Sequence, residues 1–123
     1  MEDGSIKLLG KDNRGEVYAL FLGNKEYHLI KTVKGALRGG DYHDSISRCL
    51  VLSGAVKWTM RGGTGEEEKV QNANELFSIA PNVPHLLEST TDSVIMEWLD
   101  REGPFQVAYD KAYSKRIQER MSK

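Results

Sequence analysis

Asp41 and His43 stand two residues apart in the stretch Arg38-Gly-Gly-Asp-Tyr-His-Asp-Ser-Ile-Ser47. On a strand, side chains two apart share a face, so the carboxylate and the imidazole project together. Both groups ligate divalent transition metals, and both accept protons. The pair therefore reads either as part of a metal site or as an acid–base site. The chain holds 3 histidines, His28, His43 and His85. Glu97 interrupts the apolar run Val94-Ile-Met-Glu-Trp-Leu99. A carboxylate there lies at a sheet edge or faces a cavity; facing inward, it would have a raised pKa and act on a substrate as acid or base. Cys49 is the single cysteine. Without a dedicated base beside it, it reads as a small core residue.

These groups need elements to hold them, and the pattern is mostly of period two. Residues 16–22, 26–33, 36–43, 47–54, 55–61, 74–80, 84–89 and 93–99 are strand candidates, rich in β-formers and separated by Gly, Pro and Asn turns. Ser53-Gly54 reads as the turn of a hairpin joining 47–54 to 55–61. Glu66-Glu67-Glu68 reads as a solvated loop edge beside the Gly62–Gly65 turn. Lys34-Gly35 is a short turn. If Val33 pairs with Ala36 across it, His28 lies directly opposite Asp41, close enough to orient it or to add a ligand. His28 otherwise reads as a packed or surface strand residue. Gly39-Gly40 suits a bulge that re-aims the following side chains. From Tyr109 the period changes: Tyr109, Ala112, Tyr113, Ile117 and Met121 mark a short amphipathic helix over 109–121, with residues 101–105 as connector. Many short strands without alternating helices predict an all-β antiparallel barrel or jelly roll closed by a C-terminal helix.

The spacing of the glycines and polar residues then becomes specific. Gly35 is followed after five residues by Asp41-Tyr42-His43, after three more by Ser47, and after six more by Gly54. A second stretch, Asn74–Ser89, carries Pro81 and Asn82 ahead of His85. The chain in this respect resembles the cupins, small jelly-roll barrels whose first motif has two His and a Glu in those places and whose second motif is a Gly-bearing turn ending in His. The resemblance spans residues 35–89. Asn74 and Asn82 replace the two glycines of the second motif. Asparagine is the non-glycine residue that best tolerates a left-handed backbone. Carried over by position, the metal ligands of the family fall on Asp41, His43, Ser47 and His85. Ser47 is a poor ligand because its hydroxyl stays protonated. Asp41, His43 and His85 would form a two-His-one-carboxylate set with open positions, suited to one divalent transition metal (Fe, Mn, Ni or Zn). His28 is a further candidate ligand.

A second branch of the cupins, the deoxysugar-nucleotide epimerases and ketoisomerases, is similar over Gly35–Asp41. That resemblance implies a diphosphate-binding role for Arg38, whose guanidinium fork gives two parallel charge-assisted bonds. It places the catalytic base at Asp41 or His43, without metal. A binding or sensing barrel without turnover is the third reading. Arg38 could equally sit on the outer strand face.

Composition bounds the rest. At 123 residues the chain predicts one domain, residues 1–123, with the barrel core at about 16–108. A net charge of −1 argues against a nucleic-acid footprint. One cysteine and an N-terminus without basic or apolar leader regions predict a cytoplasmic protein. No apolar run suggests a membrane helix. The expected partners are a small-molecule ligand and a second copy in a homodimer, the latter from the family habit and from strand edges that need covering.

Overall fold

The computed structural model describes residues 4–103 and 105–122. Eleven strands precede one helix: β1 Ser5–Asp12, β2 Gly15–Leu22, β3 Lys25–Thr32, β4 Leu37–Tyr42, β5 Ser47–Ser53, β6 Ala55–Gly62, β7 Gly65–Asn72, β8 Leu76–Ile79, β9 His85–Ser89, β10 Ser93–Leu99, β11 Ala108–Tyr109 and α1 Lys111–Met121. They form two antiparallel sheets, one of order β1-β2-β3-β10-β5-β8 and one of order β11-β4-β9-β6-β7. This is a jelly-roll barrel with a C-terminal helix, as the pattern of short alternating strands predicts.

Alternation decides what lies inside. On β10, Ser93, Ile95, Glu97 and Leu99 are buried and the residues between them are not. On β5 the same holds for Ser47, Cys49 and Val51. Ile30, Cys49, Val51, Val56, Trp58, Ile79, Leu87 and Ile95 from both sheets form the core. Trp58 donates its indole N–H to Gln71 Oε1 at 2.8 Å, and Gln71 donates in turn to the Cys49 and Glu75 carbonyls. The polar atoms beneath the core are thereby paired. On the outside of the smaller sheet, Leu37 and Leu86 are covered by Tyr113, Ile117 and Met121 of α1. Asp110 caps that helix by accepting from Tyr113 N, and takes a two-pronged ion pair from Arg61. Arg61 also lies over the Tyr113 ring at 4.5 Å.

Several expectations from the sequence need correction. Residues 47–54 and 55–61 do not form a hairpin. β5 pairs with β10 and β8, whereas β6 pairs with β7 and β9. Gly54 carries the chain from one sheet to the other at φ +80°, where an added Cβ would meet the Asp92 carbonyl. Lys34-Gly35 likewise joins two sheets, so β3 and β4 are not partners. His28 lies across from Ala19 and Glu97, not Asp41. The barrel ladder starts at β1, ahead of residue 16. Glu66-Glu67-Glu68 belong to β7 rather than a loop, and Glu66 accepts from the Tyr113 hydroxyl and from Arg116. The helix begins two residues later than expected, and Tyr109 pairs with Asp41 in β11. Pro104 of the expected connector lies outside the described residues.

Candidate metal centre

β4 positions the acidic member of the site through a bulge. Arg38 and Asp41 are three residues apart, so strict alternation would put them on opposite faces. The register between β4 and β9 shifts between Gly39 and Asp41. Both side chains thereby reach the same cavity. The bulge needs glycine, since Gly39 has φ +92° and Gly40 φ +73°. A Cβ on Gly39 would lie 2.9 Å from the His85 carbonyl oxygen, and one on Gly40 3.0 Å from Ile117 Cδ1. Gly39→Ala is therefore expected to cost roughly 1–3 kcal/mol of stability. Urea unfolding checks this, and a change within the error of the wild type would contradict it.

His85 opens β9 and lies across from Asp41. The turn leading to it uses Asn82 at φ +63°, and Asn74 further back has φ +70°. Both asparagines take the left-handed conformation expected of them. His43 follows β4 directly. Its Nδ1 lies 2.7 Å from the Gln106 carbonyl, and His85 Nδ1 lies 3.1 Å from the Val83 carbonyl. A carbonyl only accepts, so each Nδ1 carries a proton, and Nε2 is the nitrogen that holds the lone pair in the neutral ring. Both Nε2 atoms lie beside Asp41. His85 Nε2 is 3.2 Å from Oδ1, and His43 Nε2 is 3.6 Å from Oδ2. Burial, opposed by the Asp41 charge, holds the His85 imidazole below its ordinary pKa and favours the neutral, ligating form.

The three residues fit a metal. One ligand atom from each lies within 4.8 Å of the others. Ligands about 2.1 Å from a common ion stand roughly 3.0–3.4 Å apart; the His85–Asp41 separation of 3.2 Å lies in that range and the His43–Asp41 separation of 3.6 Å just above it. His43 Nε2 is buried with no hydrogen-bond partner. A buried unpaired acceptor costs free energy that a cation at this point would offset. The carbonyl bonds behind both imidazoles are the outer support that metal-binding histidines normally have.

The centre opens on a cavity of about 320 Å³. Asp41, His85, Arg38 and Arg14 all line it, with Trp58, Leu87 and Ile95 among the apolar walls. Arg38 is 8 % exposed and held by Thr32 Oγ1 at 2.8 Å and the Lys31 carbonyl at 3.2 Å, across the gap between the sheets. Glu97 also lines the cavity. Burial, then the neighbouring Asp41 charge, pushes its pKa up to about 8. Cys49 packs in the core beside it, its thiol pushed well up by burial. Ser47 is buried between Leu99 and Ile79 and belongs to no ligand group among the described residues.

His28 reaches this cavity by a route the sequence reading did not foresee. Its Nε2 lies 2.6 Å from Glu26 Oε2, and its ring stacks on Phe105 at 3.9 Å. It stands apart from the converging ligand atoms. Phe105 also meets His43 edge-on at 5.1 Å. Phe105, Val107, Tyr109 and Arg14 are cavity residues that the sequence reading missed. The alternation of Phe105, Val107 and Tyr109 is the signal that carried the first three. Assigning Tyr109 to the helix hid it.

No protein-family model matches the chain, and no curated protein matches it. Solved structures do. The capsular polysaccharide assembling protein CapF from Staphylococcus aureus superposes with a TM-score of 0.71 at 17% identity, over 86% of this chain and 32% of CapF. Vicilin from Corylus avellana (hazelnut) gives 0.71 at 15% identity, over 85% of this chain and 34% of the vicilin. A deletion mutant of Bacillus subtilis oxalate decarboxylase gives 0.69 at 14% identity, over 87% of this chain and 30% of the enzyme. The chain thus spans about a third of the length of each. At these identities the likeness is one of fold. That fold is the jelly-roll barrel which the resemblance to the cupins implies.

Proposed function

We propose that this chain is a metal-binding cupin that takes a compact anionic molecule into its barrel. The observation that carries this reading is the buried, unpartnered Nε2 of His43, directed with His85 Nε2 at one carboxylate. Asp41, His43 and His85 would hold one divalent transition metal and leave coordination positions for a ligand. When bound, such an ion polarises a coordinated oxygen and stabilises negative charge developing there. The Bacillus subtilis oxalate decarboxylase, similar in fold, has Mn(II) centres, which puts manganese beside iron, nickel and zinc as the ions to try first.

The chain's own residues set the ligand. Arg38, preorganised by Thr32 and Lys31, presents a cation on the same cavity, with Arg14 beside it. A carboxylate or phosphate suits that end. At about 320 Å³ the cavity stands at the lower end of the roughly 300–1,000 Å³ usual for small-molecule sites. That size favours a compact ligand over a whole nucleotide sugar. Glu97, whose pKa burial and the Asp41 charge push up to about 8, offers an O–H donor to a bound oxygen.

The two ends should separate experimentally. Arg38→Ala is expected to keep one metal per chain in equilibrium dialysis with Mn(II) or Zn(II). It is also expected to lose at least tenfold in affinity for oxalate and inorganic phosphate, used as probe anions and measured by calorimetry. Loss of metal in this variant would contradict the assignment of Arg38 to the ligand end, and unchanged anion affinity would contradict the anionic ligand.

A further inference from the structure

Glu26 and His28 stand two residues apart on β3, in step with the buried Ile30 and Thr32, so both face inward. Neither is a ligand of the metal centre. Their side chains are 16% and 14% exposed, and a carboxylate so far screened from water needs polar partners. The two oxygens of Glu26 are divided between two such partners. Oε2 lies 2.6 Å from His28 Nε2, and Oε1 accepts the Phe105 N–H at 3.1 Å. The His28 ring then stacks on the Phe105 ring at 3.9 Å, 18° from parallel. Phe105 is thus gripped by backbone and side chain at once, both from one short stretch of β3.

Phe105 and Gln106 between them set the orientation of His43. The Gln106 carbonyl accepts from His43 Nδ1 at 2.7 Å, and Phe105 meets the His43 ring edge-on at 5.1 Å. The Gln106 side-chain oxygen accepts from the Asp44 N–H at 3.1 Å. The His43 ring makes no other hydrogen bond among the described residues, since its Nε2 is buried without a partner. Residues 105–109 therefore run from β3 in the larger sheet to β4 in the smaller, where Ala108 pairs with Tyr42 and Tyr109 with Asp41. Glu26 fixes the first end of this segment. His85 is held differently, because its carbonyl partner is Val83, two residues away in its own turn. One imidazole is oriented locally, the other across 63 residues of chain. We infer that Glu26 and His28 are positioning residues of the metal centre: they clasp Phe105 and so hold the Gln106 carbonyl that fixes the ring and tautomer of His43. The functional meaning of the clasp rests on the metal-centre reading, whereas the hold on His43 belongs to the metal-free chain as well. A ligand imidazole released from its carbonyl loses the outer support that sets its direction and basicity.

Solvent exchange of the two Nδ1–H protons tests this, followed by NMR in chelator-treated protein isotope-labelled on its histidine nitrogens. Glu26→Ala is expected to speed exchange at His43 roughly tenfold or more, by letting residues 105–109 open locally. The His85 proton, held by Val83, should exchange as in the wild type. Glu26→Gln keeps an oxygen to accept the Phe105 N–H and should restore slow exchange at His43. His28→Ala removes the ring behind Phe105, should act in the same direction as Glu26→Ala, and decides the matter if that variant does not fold. In a Zn(II) titration Glu26→Ala should raise the dissociation constant roughly 10–100-fold, the usual cost of losing an outer-shell partner. Unchanged exchange at His43 in both alanine variants would overturn the proposal. So would equal acceleration at His43 and His85, which marks a general loosening, or unchanged Zn(II) affinity in a variant whose His43 exchanges fast. A wild type that takes up no Zn(II) would refute the metal centre itself, and the exchange rates would still decide the clasp.

Discussion

Glu97→Gln is expected to stabilise the metal-free protein at neutral pH and to remove most of a downward slope of stability with pH. Glu97 is buried, and its folded-state pKa is about 8 against an ordinary 4.5. Below pH 4.5 both the folded and the unfolded chain hold the proton, and the group contributes nothing to pH dependence. Between 4.5 and 8 the unfolded chain releases its proton while the folded chain keeps it. Stability then falls with rising pH by about 1.4 kcal/mol per unit, and levels off above 8. By pH 7 the accumulated cost is about 3 kcal/mol. Glutamine has the shape of the neutral carboxyl and never ionises, so the cost disappears. Urea denaturation at pH 5, 6, 7 and 8 with a chelator present measures it. Parallel slopes for the wild type and Glu97→Gln would contradict the burial of an ionisable group at this position.

The second large effect concerns the ligands. Asp41→Asn, His43→Ala and His85→Ala are each expected to lower metal affinity by two orders of magnitude or more. Loss of an outer-shell partner alone costs roughly 10–100-fold, and these changes remove a ligand or its charge. The consequence appears in stability. Metal at 100 times its dissociation constant stabilises the folded chain by about 2.7 kcal/mol, so the wild type should melt several degrees higher with metal than with chelator. At the same concentration the three variants should gain at most about 0.4 kcal/mol, a shift of a degree or two. Asp41→Asn is the most informative, because it preserves volume and changes only the charge between the two Nε2 atoms. A wild-type shift retained in all three variants would place the bound ion elsewhere.

Much of the barrel was legible because period-two alternation reports a half-buried strand whatever its partner. The same fact explains the failures. Alternation does not say which sheet a strand joins, so Ser53-Gly54 and Lys34-Gly35 looked like hairpin turns. Both are crossings between sheets, and the expected partnership of His28 with Asp41 went with them. β1 was missed because all eight of its residues are exposed, leaving no inward face to pattern. The spacing from Gly35 to Gly54 and the turn before His85 carried the geometry of Asp41, His43 and His85. Asn74 and Asn82 were readable as left-handed positions for a physical reason, the tolerance of asparagine for positive φ. The supporting parts were not legible. That Gln106 and Val83 carbonyls would orient the two imidazoles follows from tertiary contacts, one of them 63 residues apart. Gly39-Gly40 could be read as a bulge, but only the β4–β9 register shows that it turns Asp41 inward beside Arg38.

The most direct test of the central claim is the metal content of the purified chain. Protein expressed in medium containing iron, manganese, nickel and zinc, and purified without chelator, is to be analysed by inductively coupled plasma mass spectrometry. The structure predicts close to one divalent transition metal per chain in the wild type and close to none in a His43→Ala/His85→Ala variant that remains folded by circular dichroism. A wild type free of metal, and still free after anaerobic reconstitution with each of the four ions, would contradict the metal centre.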